Sequence, residues 1–468
     1  MSTHPPPPDP AAALRPTRWD AGHFALSLGA AAWLGAGASE AGFTPLGTTL
    51  CVMALLAMLA AAWAPLVALA VFVLVAYGLP HYGAENQAIF DVDLLNWIAL
   101  LALSGWGAWS ARWRQPPHLD QPLLWVMALF LAWGAVSMAL AHWRGATPVF
   151  GPSHHPAQFM QAGVMLFLAS QSLPGDRRGW WFALLLALIL ALRAVIQGPA
   201  AIYLDGDLAA YAAMLFPVAL LGALTRIHWA ARAAFAFAAF EMVRLVLSAQ
   251  SRGAAVGLVF GLAMLALGSR RRWRWALASV GLVAVIVAVA PPSYLQRFSA
   301  IWNPGAPSAT AASDRATVEH RLQLWVAGWQ MAQEHLWVGV GPGNYPARIG
   351  DHLPSSAGVV AHSTFLQLAA ETGFVGLALF AVLVIGAMFA AGSAARRTLS
   401  DTDRDLARAL QASLAAFLGV GLFLSRHDMV LAYLLVGWVA ALGAHHDRCV
   451  HDRADAPAAR PAAATKST

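Results

Sequence analysis

Long apolar stretches punctuate nearly the whole chain, and polar residues gather between them instead of alternating within them. One bilayer crossing needs about 20 apolar residues. Runs near 22–39, 43–63, 65–80, 94–111, 122–141, 157–173, 180–198, 208–224, 229–248, 253–268, 275–290, 374–391, 405–424 and 429–445 therefore read as membrane spans. The pattern predicts fourteen spans. Twelve follow if the short run 22–39, the break at Pro65, or the run 229–248 with Arg232, Glu241 and Arg244 makes no separate crossing.

Basic residues collect on the cytoplasmic side of membrane proteins, so the loops give an independent check. Arg112 and Arg114, Arg177 and Arg178, Arg226 and Arg232, Arg270 to Arg272 with Arg274, and Arg396, Arg397, Arg404 and Arg408 fall at every second loop, on one side with both termini. His81, Glu85, Asp91, Asp93, Asp205, Asp207 and the long connection from Pro291 to Gly373 fall on the other. Both termini are thus expected in the cytoplasm, the long loop faces outward, and the span count is even. The predicted organisation is a disordered cytoplasmic tail at 1–20, spans within 21–290, a long outward loop at 291–373, spans within 374–445 and a disordered tail at 446–468.

Connections as long as 291–373 are functional or disordered in most proteins. Its first part, 303–317, is rich in Pro, Ala and Ser and reads as mobile. From His320 to His335, helical spacing puts Arg321, Leu324, Trp325, Gly328, Trp329, Met331 and Ala332 on one stripe. Such an amphipathic helix would lie along the membrane surface with its tryptophans at headgroup level.

Composition agrees with this picture. The 468 residues are 59% hydrophobic and 11% charged, against roughly 25% charged in an average soluble domain. That excludes a soluble, disordered or fibrous protein, and the mean hydropathy is +0.59. The net charge of +6 is almost all arginine, Lys466 being the only lysine, and juxtamembrane arginines account for it without a nucleic-acid partner. Cys51 and Cys449 are too few and too differently placed for a disulfide framework. The Pro-rich start lacks a signal-peptide core, so the first apolar run is expected to be retained.

Ionisable groups within or at the ends of spans are costly and mark function. With the orientation above, Arg193, Arg244, Arg252 and Arg321 converge on the outer leaflet. Guanidinium forks match phosphate oxygens two at a time, so such a pocket suits a lipid-linked phosphate or pyrophosphate. Against this, an arginine near a span end also snorkels to the interface with no further role. Ser251-Arg252-Gly253 is a sharp start to a span, where glycine permits close approach to a ligand. A helix is expected to start at about His362 or Ser363 and to end at Thr372 with Gly373 as terminator, which puts His362 at its N-terminus. A helix N-terminus and nearby arginines disfavour its protonated form, leaving it neutral and able to act as a base; the bland alternative is a satisfied polar cap.

Other groups carry weaker signals. Gly339-Val340-Gly341-Pro342-Gly343-Asn344 is a turn that could wrap a substrate through Asn344, or a plain loop. Glu371 reads as a residue that orients a helix end at the substrate site. Arg426, His427 and Asp428 occupy a short outward turn and would complete the pocket's rim, with Arg426 on the substrate. Asp205-Gly206-Asp207 superficially matches a metal-holding Asp-x-Asp pair, although a solvated turn explains two residues equally well. His154 and His155 have no third ligand nearby in sequence, so neither a metal nor a cofactor is expected.

These segments resemble the O-antigen ligase and polymerase superfamily. RLQLWVAGWQMAQEHLWVGVGPGNYPARIGDHLPSSAGVVAHSTFLQLAAETGFVGLALF (321–380) resembles its signature region, with an Arg and Trp on a helix, a GVGxGN turn, then Ala-His and a Leu-Gln-x-x-x-Glu-x-Gly helix leading into a span. LSAQSRGAAVGLVFG (247–261) is similar to its Ser-Arg-Gly span start, and DLAAYAAMLFPVALL (207–221) to the span before it. The resemblance implies an all-α polytopic membrane protein of about 12–14 transmembrane helices, GT-C-like, in the bacterial inner membrane, with its active site in the long periplasmic loop. It also implies an undecaprenyl-pyrophosphate-linked glycan donor and a glycan or lipid A–core acceptor. Carried over, His362 is the acceptor-activating residue, and Arg252 and Arg321 bind the pyrophosphate. Two positions depart from the family pattern: Ser363 follows the histidine in place of Asn, and Asp207 stands for the usual Asn.

The reaction expected is an inverting, metal-independent displacement, with Arg193 or Arg244 assisting Arg252 and Arg321 while His362 takes the acceptor proton. A lipid A–core acceptor would make the enzyme a ligase, another repeat unit a polymerase, and a protein serine an O-oligosaccharyltransferase, whose members tend to carry an extra C-terminal domain. Two other classes stay open at this point. A transporter or flippase of anionic lipid-linked solutes would also use buried arginines, though no inverted repeat of the kind common in transporters is visible. A scaffold leaves the long loop unexplained.

Overall fold

The architecture comes from a computed structural model that describes residues 64–78, 88–89, 92–145, 156–202, 206–269, 309–398 and 400–454, with isolated positions between 273 and 284. The expected runs at 22–39 and 43–63, most of 275–290, and the residues Cys51, His154, His155 and Asp205 lie outside them.

The described chain is helical apart from a two-residue antiparallel pair, β1 (Ala88–Ile89) with β2 (Val92–Asp93). Its helices are α1 (Pro65–Gly78), α2 (Leu94–Trp113), α3 (Pro122–Trp143), α4 (Pro156–Ser172), α5 (Gly179–Ile202), α6 (Gly206–Leu224), α7 (Trp229–Ala249), α8 (Arg252–Gly268), α9 (Ala309–Glu334), α10 (Tyr345–His352), α11 (Thr364–Arg397), α12 (Asp401–Gly421) and α13 (Val430–Ala454). Among the described residues, α3, Gly179–Gly198 of α5, α6 and α11 are long and apolar enough to cross a membrane; α1, α8 and part of α13 are shorter apolar helices. This is an all-α polytopic membrane protein.

Two apolar surfaces explain the bundle. Inward, α6 packs on α7, α8 and α12, α11 on α12 and α3, and α13 on α4, around a core that includes Phe235, Phe417, Tyr433 and Trp438. Outward, large apolar side chains stay uncovered: Trp125 and Leu129 on α3, Ile196 on α5, Phe240 on α7 and Phe389 on α11. Water would not tolerate so wide an apolar surface, whereas lipid does.

Local chemistry sets the ends that matter for the site. Pro122 at N1 opens α3, and Ser251 caps α8, its Oγ accepting from Ala254 N at 3.3 Å. Gly373 (φ 70°, ψ 179°) breaks α11 into a short buried segment, Thr364–Thr372, and a long apolar one. Few residues other than glycine adopt that conformation. This matches the terminator expected there, although both segments form one continuous element through the kink.

Three expectations are corrected. The stretch 303–317 does not stay irregular throughout, because α9 is already helical from Ala309; its alanines are strong helix formers. The tail expected from 446 is not irregular at its start, since α13 continues to Ala454. The single stripe expected on α9 divides. Leu324, Met331 and Ala332 are buried with Tyr345, Ile349 and Ala361 in a second small core, while Trp329 is 47% exposed and meets Phe374 edge-on, ring centroids 5.7 Å apart.

Candidate active site

His362 lies just outside a helix. Thr364 is the first residue of α11, Ser363 caps it without a side-chain bond, and His362 has φ 50°. The helix therefore starts one or two residues later than the expected His362 or Ser363. A left-handed conformation costs a residue with a Cβ about 1–2 kcal/mol, so the surroundings must impose it. On the N-terminal side, Trp325 Nε1 of α9 donates to Ala361 O at 3.0 Å. On the C-terminal side, Ser363 N donates to Ser425 Oγ at 3.1 Å, and Thr364 Oγ1 donates to Leu424 O at 2.6 Å. The imidazole is thus fixed between α9 and the turn joining α12 to α13.

Electrostatics then set its charge. Burial, and next the charges of Arg321, His320 and Arg426, push the His362 pKa down to about 4. The helix N-terminus invoked from sequence is not needed. Arg321 is lowered from its ordinary value by burial and by Arg252, so two guanidiniums from separate stretches repel each other close to a neutral imidazole. Like charges held this close repel each other, and a bound dianion between them would relieve that repulsion.

The structure gathers Arg252, Arg321 and His362, and adds His320, which shares a 2.8 Å hydrogen bond with Ser356 Oγ. Arg193 and Arg244, expected in the same cluster, are engaged within the helix bundle. Arg193 is buried and its Nη1 donates to Tyr77 O at 3.2 Å. Arg244 is bonded to Glu241 in its own helix and donates to Ala194 O at 3.0 Å. Both serve polar links between helices of the bundle. Gly253 also has another role than expected: a Cβ there would lie 3.1 Å from Phe423 Cβ, so its smallness lets α8 pack on the end of α12.

Asn344 and Glu371 hold the framework behind the site and do not line it. Asn344 is 1% exposed and its Nδ2 closes the Gly-rich turn onto Val340 O at 2.9 Å. Glu371, fully buried, accepts from Tyr345 N at 3.3 Å and Gln367 Nε2 at 3.1 Å. Its backbone oxygen takes Gly341 N at 2.8 Å, while Ala370 O takes Val340 N at 2.9 Å. The turn is therefore stitched along the first segment of α11. His427 is buried as well, its Nε2 3.5 Å from Glu371 Oε2, so it does not form a rim. Arg426 grips Asp207 with two prongs, Nε to Oδ1 at 2.6 Å and Nη2 to Oδ2. Burial opposes its charge, but Asp207 and Asp428 outweigh that and hold it above its ordinary value. That leaves Asp207 engaged by a cation from the protein itself.

Comparison with known proteins bears on this same stretch. Residues 237–381 match the family described as O-antigen ligase. That stretch is similar to O-antigen ligases. No curated protein matches the chain. The matched stretch holds Arg252, Arg321 and His362 together with the Gly-rich turn and Glu371, while Asp207 and Arg426 lie outside it.

Sequence reasoning missed three contributors. His320 sits one residue before Arg321, and nothing in its spacing marks it. The Asp207–Arg426 pair joins positions 219 apart, beyond any local pattern. Trp325 was placed on the helix stripe, but its bond to Ala361 O depends on how the loop folds back.

Proposed function

We propose that this O-antigen ligase-type membrane glycosyltransferase moves a glycan from undecaprenyl pyrophosphate to an acceptor hydroxyl at the periplasmic face of the inner membrane, inverting the anomeric carbon. The carrying observation is Arg321 close to a neutral His362, with Arg252 in turn close to Arg321. His362 takes the proton of the acceptor hydroxyl as that oxygen bonds to the anomeric carbon. The bond from that carbon to the donor phosphate breaks, and its electron pair leaves with the diphosphate, whose growing charge Arg252 and Arg321 offset. Fixed charges aimed at a developing anion are often the largest catalytic contribution.

Because guanidiniums supply the positive charge, and Asp207 is taken by Arg426, the step is read as metal-independent. The acceptor is a lipid A–core or a growing glycan, which makes the enzyme a ligase or a polymerase. The arginine pattern of the loops supports cytoplasmic termini.

Purified protein in detergent, given a polyprenyl-diphosphate glycan and either acceptor, is expected to form product with no ion gradient, and to keep doing so in a chelator. Solute movement only across an energised membrane, with no new glycosidic bond, would support a transporter instead. Activity abolished by chelator and restored by a divalent cation would return Asp205 and Asp207 to consideration as a metal site.

A further inference from the structure

We propose that Asp207 and Arg426 are positioning residues: their ion pair clamps the turn at 424–426 onto the first turn of α11 and thereby holds His362 in place near Arg321. The inference rests on the reading of His362 as the base.

Hydrogen bonds from the 424–426 turn fix the backbone beside His362. Ser425 Oγ accepts from Ser363 N at 3.1 Å, Leu424 O accepts from Thr364 Oγ1 at 2.6 Å, and Arg426 N donates to Thr364 Oγ1 at 2.9 Å. Ser363 makes no capping bond of its own, so these contacts from a distant segment replace a local cap. The turn then needs an anchor. Arg426 supplies it by reaching to the first turn of α6, where Asp207 accepts both prongs of the guanidinium. A carboxylate in a first turn is favoured by the helix dipole, and a two-pronged pair fixes direction as well as distance. The side chains are 26% and 27% exposed, partly sheltered from screening. With Nε and Nη2 both given to Asp207, the fork of Arg426 is occupied by protein, which favours an anchor over a donor ligand.

A misplacement of about 1 Å costs up to roughly 100-fold in rate, and it costs turnover more than donor binding when the donor is held elsewhere. Steady-state transfer by the full-length protein is compared for wild type, Asp207→Ala and Asp207→Glu. Asp207→Ala is expected to lower kcat ~10- to 100-fold with donor KM within about twofold, and Asp207→Glu, which restores a carboxylate, to recover most of that loss. A wild-type kcat in Asp207→Ala, a loss confined to KM, or no recovery in Asp207→Glu overturns the proposal. Should Asp207→Ala fail to fold, Arg426→Gln, which keeps the backbone donor at 426, is judged by the same criteria. His362→Ala separates the two readings: if it is inactive while Asp207→Ala is normal, the clasp alone fails, and if it is fully active, the base fails too.

Discussion

His362 carries a conformation that its own neighbours in sequence would not choose, and a charge state that its neighbours in space impose. With its pKa pushed down to about 4 by burial and then by Arg321, His320 and Arg426, it is neutral over the range in which a free histidine, near 6.5, becomes protonated. Activity that needs the neutral ring is therefore expected to persist as pH falls below 6.5 and to disappear only through about 4. Arg321→Gln removes a positive neighbour, so whatever activity remains should lose its acid limb at a higher pH than wild type. An unshifted acid limb in the pH–rate profile of Arg321→Gln would mean that another group titrates. The same shift bears on stability. An unfolded chain accepts this proton near 6.5 and the folded one resists it down to about 4, so the contribution of His362 to folding is complete above that window and declines as pH falls through it. At this scale the sequence shows the reacting residue types, since arginines and a histidine near span ends are conspicuous. It does not show which arginines meet: Arg193 and Arg244 look equivalent to Arg252 until the fold gives them Tyr77 O and Glu241 as partners.

The decisive element is the kinked α11 with the Gly-rich turn bound along it. Residues 336–341 run beside the start of the helix, with Phe374 N donating to Leu336 O at 2.9 Å and Gly341 N to Glu371 O at 2.8 Å. Gly373 makes this closeness feasible. At φ 70° and ψ 179° it occupies a region nearly reserved for glycine, and a Cβ would lie 2.1 Å from Trp337 O. Gly373→Ala is expected to destabilise the fold by at least about 1–3 kcal/mol and to lower the temperature at which the detergent-solubilised protein loses its monodisperse peak. An unchanged unfolding temperature would show that the two strands of chain separate readily. The break at Gly373 was legible because glycine after an apolar helical run is a strong stop signal. The Gly-rich turn was visible as a turn, but its rigidity was not, because that comes from α11 carbonyls about 30 residues further along. Gly253 shows the opposite limit: a glycine at a span start suggests room for a ligand, and only packing reveals Phe423 there.

For the whole molecule, the membrane class was the most legible property, because fraction apolar and run length are sums over many residues and survive local error. Among the described residues most helices of the bundle fall on the predicted runs, as with Leu94–Trp113 on 94–111 and Pro122–Trp143 on 122–141, whereas the helix Tyr345–His352 falls on none. Missed features are contacts between remote segments: α6 with the last turn through Asp207 and Arg426, and α9 with the residue before His362 through Trp325. Such contacts decide which side chains share a substrate. Chemistry by His362 next to the Arg321 guanidinium is tested most directly by removing the histidine itself. In a purified transfer reaction with saturating polyprenyl-diphosphate glycan and acceptor, His362→Ala is expected to turn over about 10²- to 10⁴-fold more slowly than wild type while remaining folded. A wild-type rate from folded His362→Ala would contradict the account.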